Sequence, residues 1–493
     1  MLSRSKLLSG ASAQFDGGAA PNSRCALHDA GLPGTLPRVN AACVEAAART
    51  GLALGAQVRT RSVFERKHYF YGDQPLGFQV TQQRWPIAVG GALSVSFVED
   101  RGLSRAAQEA RHALVRITRV QLEQDTGRSL ESGAGSTLVD LNRAGCGVME
   151  IVTEPDVDSA AGAVAFCAEM RALLEAVGTC DGNMQDGSLR FDVNVSVHGG
   201  AHGVDSHRVE VKNLNSFRSV ERAVRHEQQR LERLYEARSG SGAAGARREA
   251  HETRTFNIAT GETEPLRSKN SAAEYRFFPE PDLPPLVISQ RRIEALRATL
   301  PELPEQARAR LQQQLALPED SARKLVGEPG ALRLLDAAVK LGAPAQAAAG
   351  WILNDLLALA HAQALTVLDM DLLTPDALAA VIRLESEGAV TRANARKALA
   401  ETSRTGRRPE EVIRDNDWAQ LQGAHAHAEL AAQVLADLAA RPKGRQQLAQ
   451  YHAGKASVLE FILGAAMQRS KGRANAQLLR PALLDALLRH RPE

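Results

Sequence analysis

Leu189-Arg190-Phe191-Asp192-Val193-Asn194-Val195-Ser196-Val197-His198 alternates without a break. Successive side chains of a strand point to opposite faces, so Leu189, Phe191, Val193, Val195 and Val197 share one side. Arg190, Asp192, Asn194, Ser196 and His198 share the other, and the segment reads as a half-buried strand with a polar free face. Three more segments behave alike. Arg208, Glu210 and Lys212 oppose Val209 and Val211, while Arg119, Gln121, Glu123 and Asp125 oppose Val120 and Leu122. In Val148–Thr153, Glu150 lies between Val148 and Val152 on one face. A carboxylate among apolar neighbours is expensive to bury unless paired, protonated or metal-bound. Two readings stay open at this point: the solvent faces of an antiparallel sheet, or strands whose polar faces meet in one site. Oxygen-only ligands of this kind suit Mg2+, which draws on phosphate oxygens to complete its octahedron.

Outward from these strands, residues 218–238 read as an amphipathic helix with Val220, Val224, Leu231, Leu234 and Tyr235 at helical spacing. Ser239–Ala246, rich in Gly, Ser and Ala, reads as a flexible surface connection. The proline-rich stretch Phe278–Leu286 cannot be an interior strand or helix, and is expected to close the first domain as an extended segment. Beyond Ser289 the chain turns Ala- and Leu-rich and reads as consecutive helices. Thr374-Pro375-Asp376 is a helix start in the right order, and Trp351, Leu353, Leu356 and Leu357 give one helix a bulky apolar face. Asn142–Gly145 reads as a turn whose Arg143 is either a salt-bridge partner or an anion ligand. Glu65–Tyr71 mixes charges with aromatics, as a nucleic-acid-binding strand or an ordinary edge strand does.

At 493 residues the chain needs two or three domains. No apolar run is long enough to span a membrane as a helix, and no secretory signal is expected from Met1–Arg4, which lacks an apolar core. The five cysteines are widely spaced without a CxxC pair, as free thiols of a reducing compartment are. Cys25 and His28 have ligand-like spacing but lack two further ligands nearby, so no zinc is expected. From Arg441 to Glu493 ten Lys/Arg face three Asp/Glu, whereas the rest of the chain is net negative. That basic end, with Lys455, Arg469, Lys471 and Arg473 around Gly454 and Gly472, points to a polyanion such as nucleic acid, or else to a solvated helical surface.

Taken together, FERKHYFYGDQPLGFQVTQ (64–82), QLEQDTGR (121–128), LVDLNRAGCGVMEIVTEPD (138–156), DGNMQDGSLRFDVNVSV (181–197), VEVKNLNSFR (209–218), ETRTFNIATGETEPLRSK (252–269) and YRFFPEPDLPPLV (275–287) resemble the GatB family of tRNA amidotransferase B subunits. AGWILNDL near Trp351 and the final KGRANAQLL carry the likeness through the second half. The resemblance implies an α/β (α+β) cradle domain built on antiparallel sheet (1–290), an all-helical connecting segment (291–348) and a YqeY-like helical tail (349–493) that binds tRNA. It implies a heterotrimer with an A-type amidase subunit and a small C-type subunit. The activity it implies is an ATP-dependent carbon–nitrogen ligase with glutamine as amide donor. The side chain of Glu-tRNA(Gln) would be phosphorylated with ATP as substrate and Mg2+ as cofactor, and ammonia would then displace phosphate.

Carried over by motif, Glu123 and Glu150 are the expected Mg2+ ligands and, with Arg190 and Lys212, the expected catalytic set. Asp125, Asp192, Asn194, Glu210, Asn213 and Asn215 are expected around ATP and the acceptor end, and Lys455, Arg469, Lys471 and Arg473 on the tRNA body. The chain departs from the family where relatives begin with a GLEIHxQL-like strand that adds a Glu and a His to the metal site. A targeting segment followed by such a strand is therefore expected upstream of Met1. Ser9, Ala11, Cys25 and His28 replace the cysteine-type zinc ligands of some relatives, and Gln124 and Leu76 replace an acid and a lysine of the implied ammonia path. SKLLSGAS, DAGLPGTLP and LEQD are nearest to mitochondrial members, which implies the mitochondrial matrix, with plastid or bacterial cytoplasm as alternatives.

Overall fold

Strands form where the alternating pattern places them. The computed structural model describes all residues except 15–17, 100–109, 132–134, 199–205, 241–251, 269–274, 329, 364 and 490–493. The chain divides into two compact units, Met1–Ala307 and Arg308–Glu493. In chain order the first holds α1 (Ala41–Ala53), β1 (Gln57–Val58), β2 (Arg61–Ser62), β3 (Glu65–His68), β4 (Phe78–Thr81), β5 (Ala88–Val89), β6 (Ala92–Val98) and β7 (Ala110–Gln124). It continues with β8 (Arg128–Glu131), β9 (Thr137–Asp140), β10 (Gly147–Thr153), α2 (Ala160–Val177), β11 (Phe191–Val195), β12 (Val209–Leu214) and α3 (Phe217–Gly240). Last come β13 (Glu252–Asn257), β14 (Glu262–Ser268), β15 (Phe278–Pro279), β16 (Leu286–Val287) and α4 (Gln290–Ala298).

The main sheet runs β1-β5-β7-β10, with β6 also paired to β7. Strand β7 meets β6 along its first half and β5 and β10 along its second, all antiparallel. Val120 and Leu122 on one face are fully buried and share a core with Ala47 and Leu52 of α1 and Leu173 and Leu174 of α2. A second sheet runs β11-β12-β13-β14. Its β12–β13 pair is parallel, so this sheet is mixed where antiparallel pairing was expected. The reason is α3, which joins the two strands and supplies the long crossover that a parallel pair needs. Helix α3 buries Val220, Val224 and Leu231 against Val209, Val211 and Phe256, the face its periodicity predicts. Most of the connection that follows, from residue 241, lies outside the described residues.

A third sheet, β15-β3-β4, has β3 in its centre. This corrects the edge-strand reading of Glu65–Tyr71, because the proline-rich segment returns to cover its open side. Pro279 sits on the outermost strand, where a missing N–H breaks no ladder. Ser289 then caps α4 by accepting the Arg292 N–H at 3.2 Å. Ile293 and Leu296 of α4 belong to the first core, so this unit runs past the expected end at 290 to Ala307.

In the second unit, Trp351, Ile352 and Leu356 centre one helical core, and helices Gly423–Ala440, Pro442–His452, Val458–Arg469 and Ala476–Arg489 surround another. The expected division at 348/349 falls inside helix Ala345–Trp351, whose Trp351 is fully buried. The changeover between cores comes later, between Ile413 and Leu430. Thr374 accepts the Ala377 N–H at 3.2 Å and starts helix Pro375–Ser386 as its sequence predicts. Among the described residues no helix is long and apolar enough to cross a membrane.

Two charge networks are buried in the first unit. Glu227 of α3, fully buried, is bound by Arg230 at 2.8 Å and Arg254 of β13 at 3.1 Å. Lys6 and Asp29, 3.1 Å apart, are almost wholly shielded from water. Lys6 also donates to the Leu141 carbonyl at 3.2 Å, and Asp29 accepts from Ser9 and the Ala26 N–H. This pair ties the first residues to the turn that leads into β10. Lys6→Met strands a buried carboxylate and is expected to cost about 3–5 kcal/mol. In urea unfolding, Lys6→Met/Asp29→Leu should recover most of that loss; a double variant as unstable as the single one would show the pair is not what the site depends on.

Candidate active site

The candidate centre lies where β4, β7 and β10 meet. Among the described residues the donors to Glu123, buried on β7, are neutral side chains. Thr81 Oγ1 donates to it at 2.5 Å, Gln121 Nε2 at 2.8 Å and Gln79 Nε2 at 3.3 Å. Gln121 stands directly across the ladder from Glu150 of β10, which puts both side chains on one face. Its Nε2 donates to Glu150 at 2.7 Å as well, and its Oε1 accepts Arg119 Nε at 2.6 Å. One amide nitrogen thus holds both carboxylates.

Glu150 keeps its place between Val148 and Val152 but is solvent-exposed, because β10 is the outer strand of its sheet. Its carboxylate still leans over β7, where desolvation, followed by the charge of Glu123, raises its pKa; Lys67 and Arg119 oppose that rise.

The polar faces of the two larger sheets do converge. Arg190, just before β11, reaches Asp125 at the end of β7 at 2.9 Å. Arg143 meets the same carboxylate at 3.3 Å, which settles it as a salt-bridge partner. The charge of Asp192 adds, as the smallest of the causes, to the rise of the Glu150 pKa. Lys212 of β12 stands 3.5 Å from Asp192 and 3.9 Å from Glu210. Burial alone would lower the Lys212 pKa, but Asp192 and Glu210 outweigh it and raise the net value, so its ammonium is retained.

Other expected residues are engaged elsewhere. Asn194 is exposed beside Glu210. Asn213, in a left-handed backbone conformation, donates to Thr255 at 2.6 Å, and Asn215 accepts from Ser219 at the start of α3. In the tail, Arg469 pairs with Asp437, and Arg473 with Asp417 at 2.6 Å. Lys455 and Lys471 remain exposed. The Lys471-Gly472-Arg473 turn is held by its backbone: Asn394 Nδ2, Thr391 Oγ1 and the Leu421 N–H donate to the three carbonyls in order.

Sequence reading missed Gln79 and Thr81, whose segment FQVTQ looks like any polar strand. It also missed Tyr69, whose phenol pKa is raised by burial first and then by Asp73, Glu123 and Asp125.

Among the described residues no group of three or more His, Cys, Asp or Glu is arranged to hold a metal ion. Mg2+ asks for less, since it commonly takes one or two carboxylates and completes its shell with waters and phosphate oxygens. Glu123 and Glu150, both within reach of one nitrogen and flanked by the Thr81 hydroxyl, fit that requirement.

Residues 1–294 match the GatB/GatE catalytic domain and residues 333–487 the GatB domain. The B subunit of the mitochondrial glutamyl-tRNA(Gln) amidotransferase of Phytophthora infestans is 38% identical across 100% of this chain and 94% of its own length. The B subunit of the aspartyl/glutamyl-tRNA(Asn/Gln) amidotransferase of Anaeromyxobacter dehalogenans strain 2CP-1 is 39% identical, covering 100% and 96%. Its counterpart from Thermosynechococcus vestitus is 37% identical, covering 98% and 93%. With the catalytic domain matched along the first unit and the likeness running from end to end, the chain belongs to the GatB family of tRNA amidotransferase B subunits.

Proposed function

We propose that this chain is the tRNA-binding, carboxylate-activating member of a heterotrimer that converts Glu-tRNA(Gln) to Gln-tRNA(Gln) with glutamine and ATP. An A-type amidase subunit and a small C-type subunit are its expected partners. The mitochondrial matrix is its expected compartment, with plastid or bacterial cytoplasm as alternatives. The observation that carries the reading is that Glu123 and Glu150 share the Gln121 amide with Arg119 and Lys67 acting on Glu150, while Arg190 pairs with Asp125 and Lys212 with Asp192.

A free carboxylate is a poor acyl donor. An oxygen of the substrate Glu side chain attacks the γ-phosphorus, ADP leaves, and an acyl phosphate results. Ammonia then adds to the acyl carbon, phosphate departs, and a lost proton leaves the amide. Such transfer rests mainly on positioning and on neutralising phosphate charge. Glu123 and Glu150 would hold Mg2+, which when bound offsets charge on the phosphates. Arg119 and Lys67 lie on the same side as Glu150 and provide further positive charge there. Asp125 orients Arg190, and Asp192 and Glu210 favour the charged form of Lys212. A scaffold that binds tRNA without activating it is the competing reading.

Transamidation separates the two. Glu150→Gln is expected to lower ATP-dependent transamidation by the assembled trimer at least about a hundredfold while leaving glutaminase activity intact. Near-normal transamidation in that variant would remove Glu150 from the centre.

The tail carries a second test. Lys455→Ala/Lys471→Ala should weaken tRNA binding and reduce the salt slope by about 0.7–0.9 for each phosphate no longer neutralised. Arg473→Ala should instead lower the unfolding midpoint, since it frees Asp417 and the Ala419 carbonyl. An unchanged slope in the lysine variant would show that the basic excess is a solvated surface.

A further inference from the structure

The amide of Gln121 stands between the two carboxylates that the proposed reaction needs. Its orientation is dictated by its partners: Arg119 Nε can only donate, so the atom facing it is Oε1. Nε2 then points at Glu123 Oε1 and Glu150 Oε2, at 2.8 and 2.7 Å, with Thr81 Oγ1 a third neighbour at 3.2 Å. An amide nitrogen has two hydrogens, so the carboxylates consume its donor capacity. Gln121 is almost wholly buried, and Arg119 closes its far side.

We propose that Gln121 is a positioning residue whose amide holds Glu123 and Glu150 together and must release them for a divalent ion to bind. This rests on the reading of Glu123 and Glu150 given above. Two carboxylates facing each other repel, and the amide relieves this by donating one hydrogen bond to each. A divalent cation competes for the same two oxygens and cannot share them with the NH2 group. Cation binding therefore breaks both hydrogen bonds. If the amide turns away, Arg119 Nε also loses its acceptor and becomes available to an incoming phosphate. The site is held open and ready, at the expense of cation affinity.

The test is Mn2+ titration of the full-length chain, with free Mn2+ read by electron paramagnetic resonance and stability read by thermal unfolding without metal. Gln121→Met keeps the length of the side chain and removes the amide. It is expected to bind Mn2+ about tenfold more tightly than wild type while unfolding at a lower temperature without metal. A residue that only packs, or that serves as a ligand through Oε1, predicts unchanged or weaker binding, and either result overturns the proposal. Gln121→Glu covers the case where the methionine variant fails to fold. Its unfolding midpoint should rise more on Mn2+ addition than that of wild type, and an equal or smaller rise counts against the idea. Glu123→Gln keeps the two hypotheses apart. If it binds Mn2+ as wild type does, the carboxylate site itself is wrong; if it loses Mn2+ while Gln121→Met gains nothing, only the role of Gln121 falls.

Discussion

A strand turns its two faces to different surroundings, and everything at the candidate centre depends on how β7 uses that. One face delivers Val120 and Leu122 to the core, and the other carries Arg119, Gln121 and Glu123. A slip of one residue against β10 would exchange the faces, putting a carboxylate into hydrocarbon and two large apolar side chains among the polar groups. The register is therefore set by burial on one side as firmly as by hydrogen bonds. Once it is set, Glu150 must face Gln121, and β4 can supply donors to Glu123 from above.

The buried charges serve the same end by fixing the segments that bring the sheets together. Asp125 gathers Arg143 from the turn before β10 and Arg190 from the approach to β11. Lys6 and Asp29 hold that same turn from its other side. Glu227, Arg230, Glu252 and Arg254 lock α3 onto β13, which positions β12 and hence Lys212. Buried pairs contribute little net stability against well-packed hydrophobic replacements, but removing one partner is costly. They constrain geometry more than they add free energy.

What could be read in advance follows from this division between local and distant. Alternation is a property of one segment, so β7, β10, β11 and β12 and the buried face of α3 were legible in the residues. Whether polar faces of separate sheets meet is not, because no single segment contains that information; the Arg190–Asp125 contact joins residues far apart in the chain. The parallel β12–β13 pair and the central place of β3 were hidden for the same reason. The partners of Asn213 and Asn215 were not legible either, because a short amide gives no sign of whether it will turn to its own backbone, a neighbour or solvent. That Arg469 and Arg473, expected on the tRNA body, pair with Asp437 and Asp417 was equally out of sight, since these partners are remote in sequence.

The turn at Lys471–Arg473 is fastened through carbonyls, and every amino acid has one. The side chain at 471 can therefore vary among residues that tolerate its φ of 53°, whereas Arg473 also holds Asp417 and the Ala419 carbonyl. The middle position is fixed, since Gly472 has φ +75° and a Cβ there would come 2.9 Å from Asn394 Oδ1. The donors on the other side, Thr391 and Asn394, are equally restricted. For anyone building a hybrid protein with a tail from another species, the natural cut is thus not the loop before Gly423. The transplanted piece has to bring helix Arg392–Thr405 and its capping threonine with it, or find a matching threonine and asparagine already waiting in the recipient.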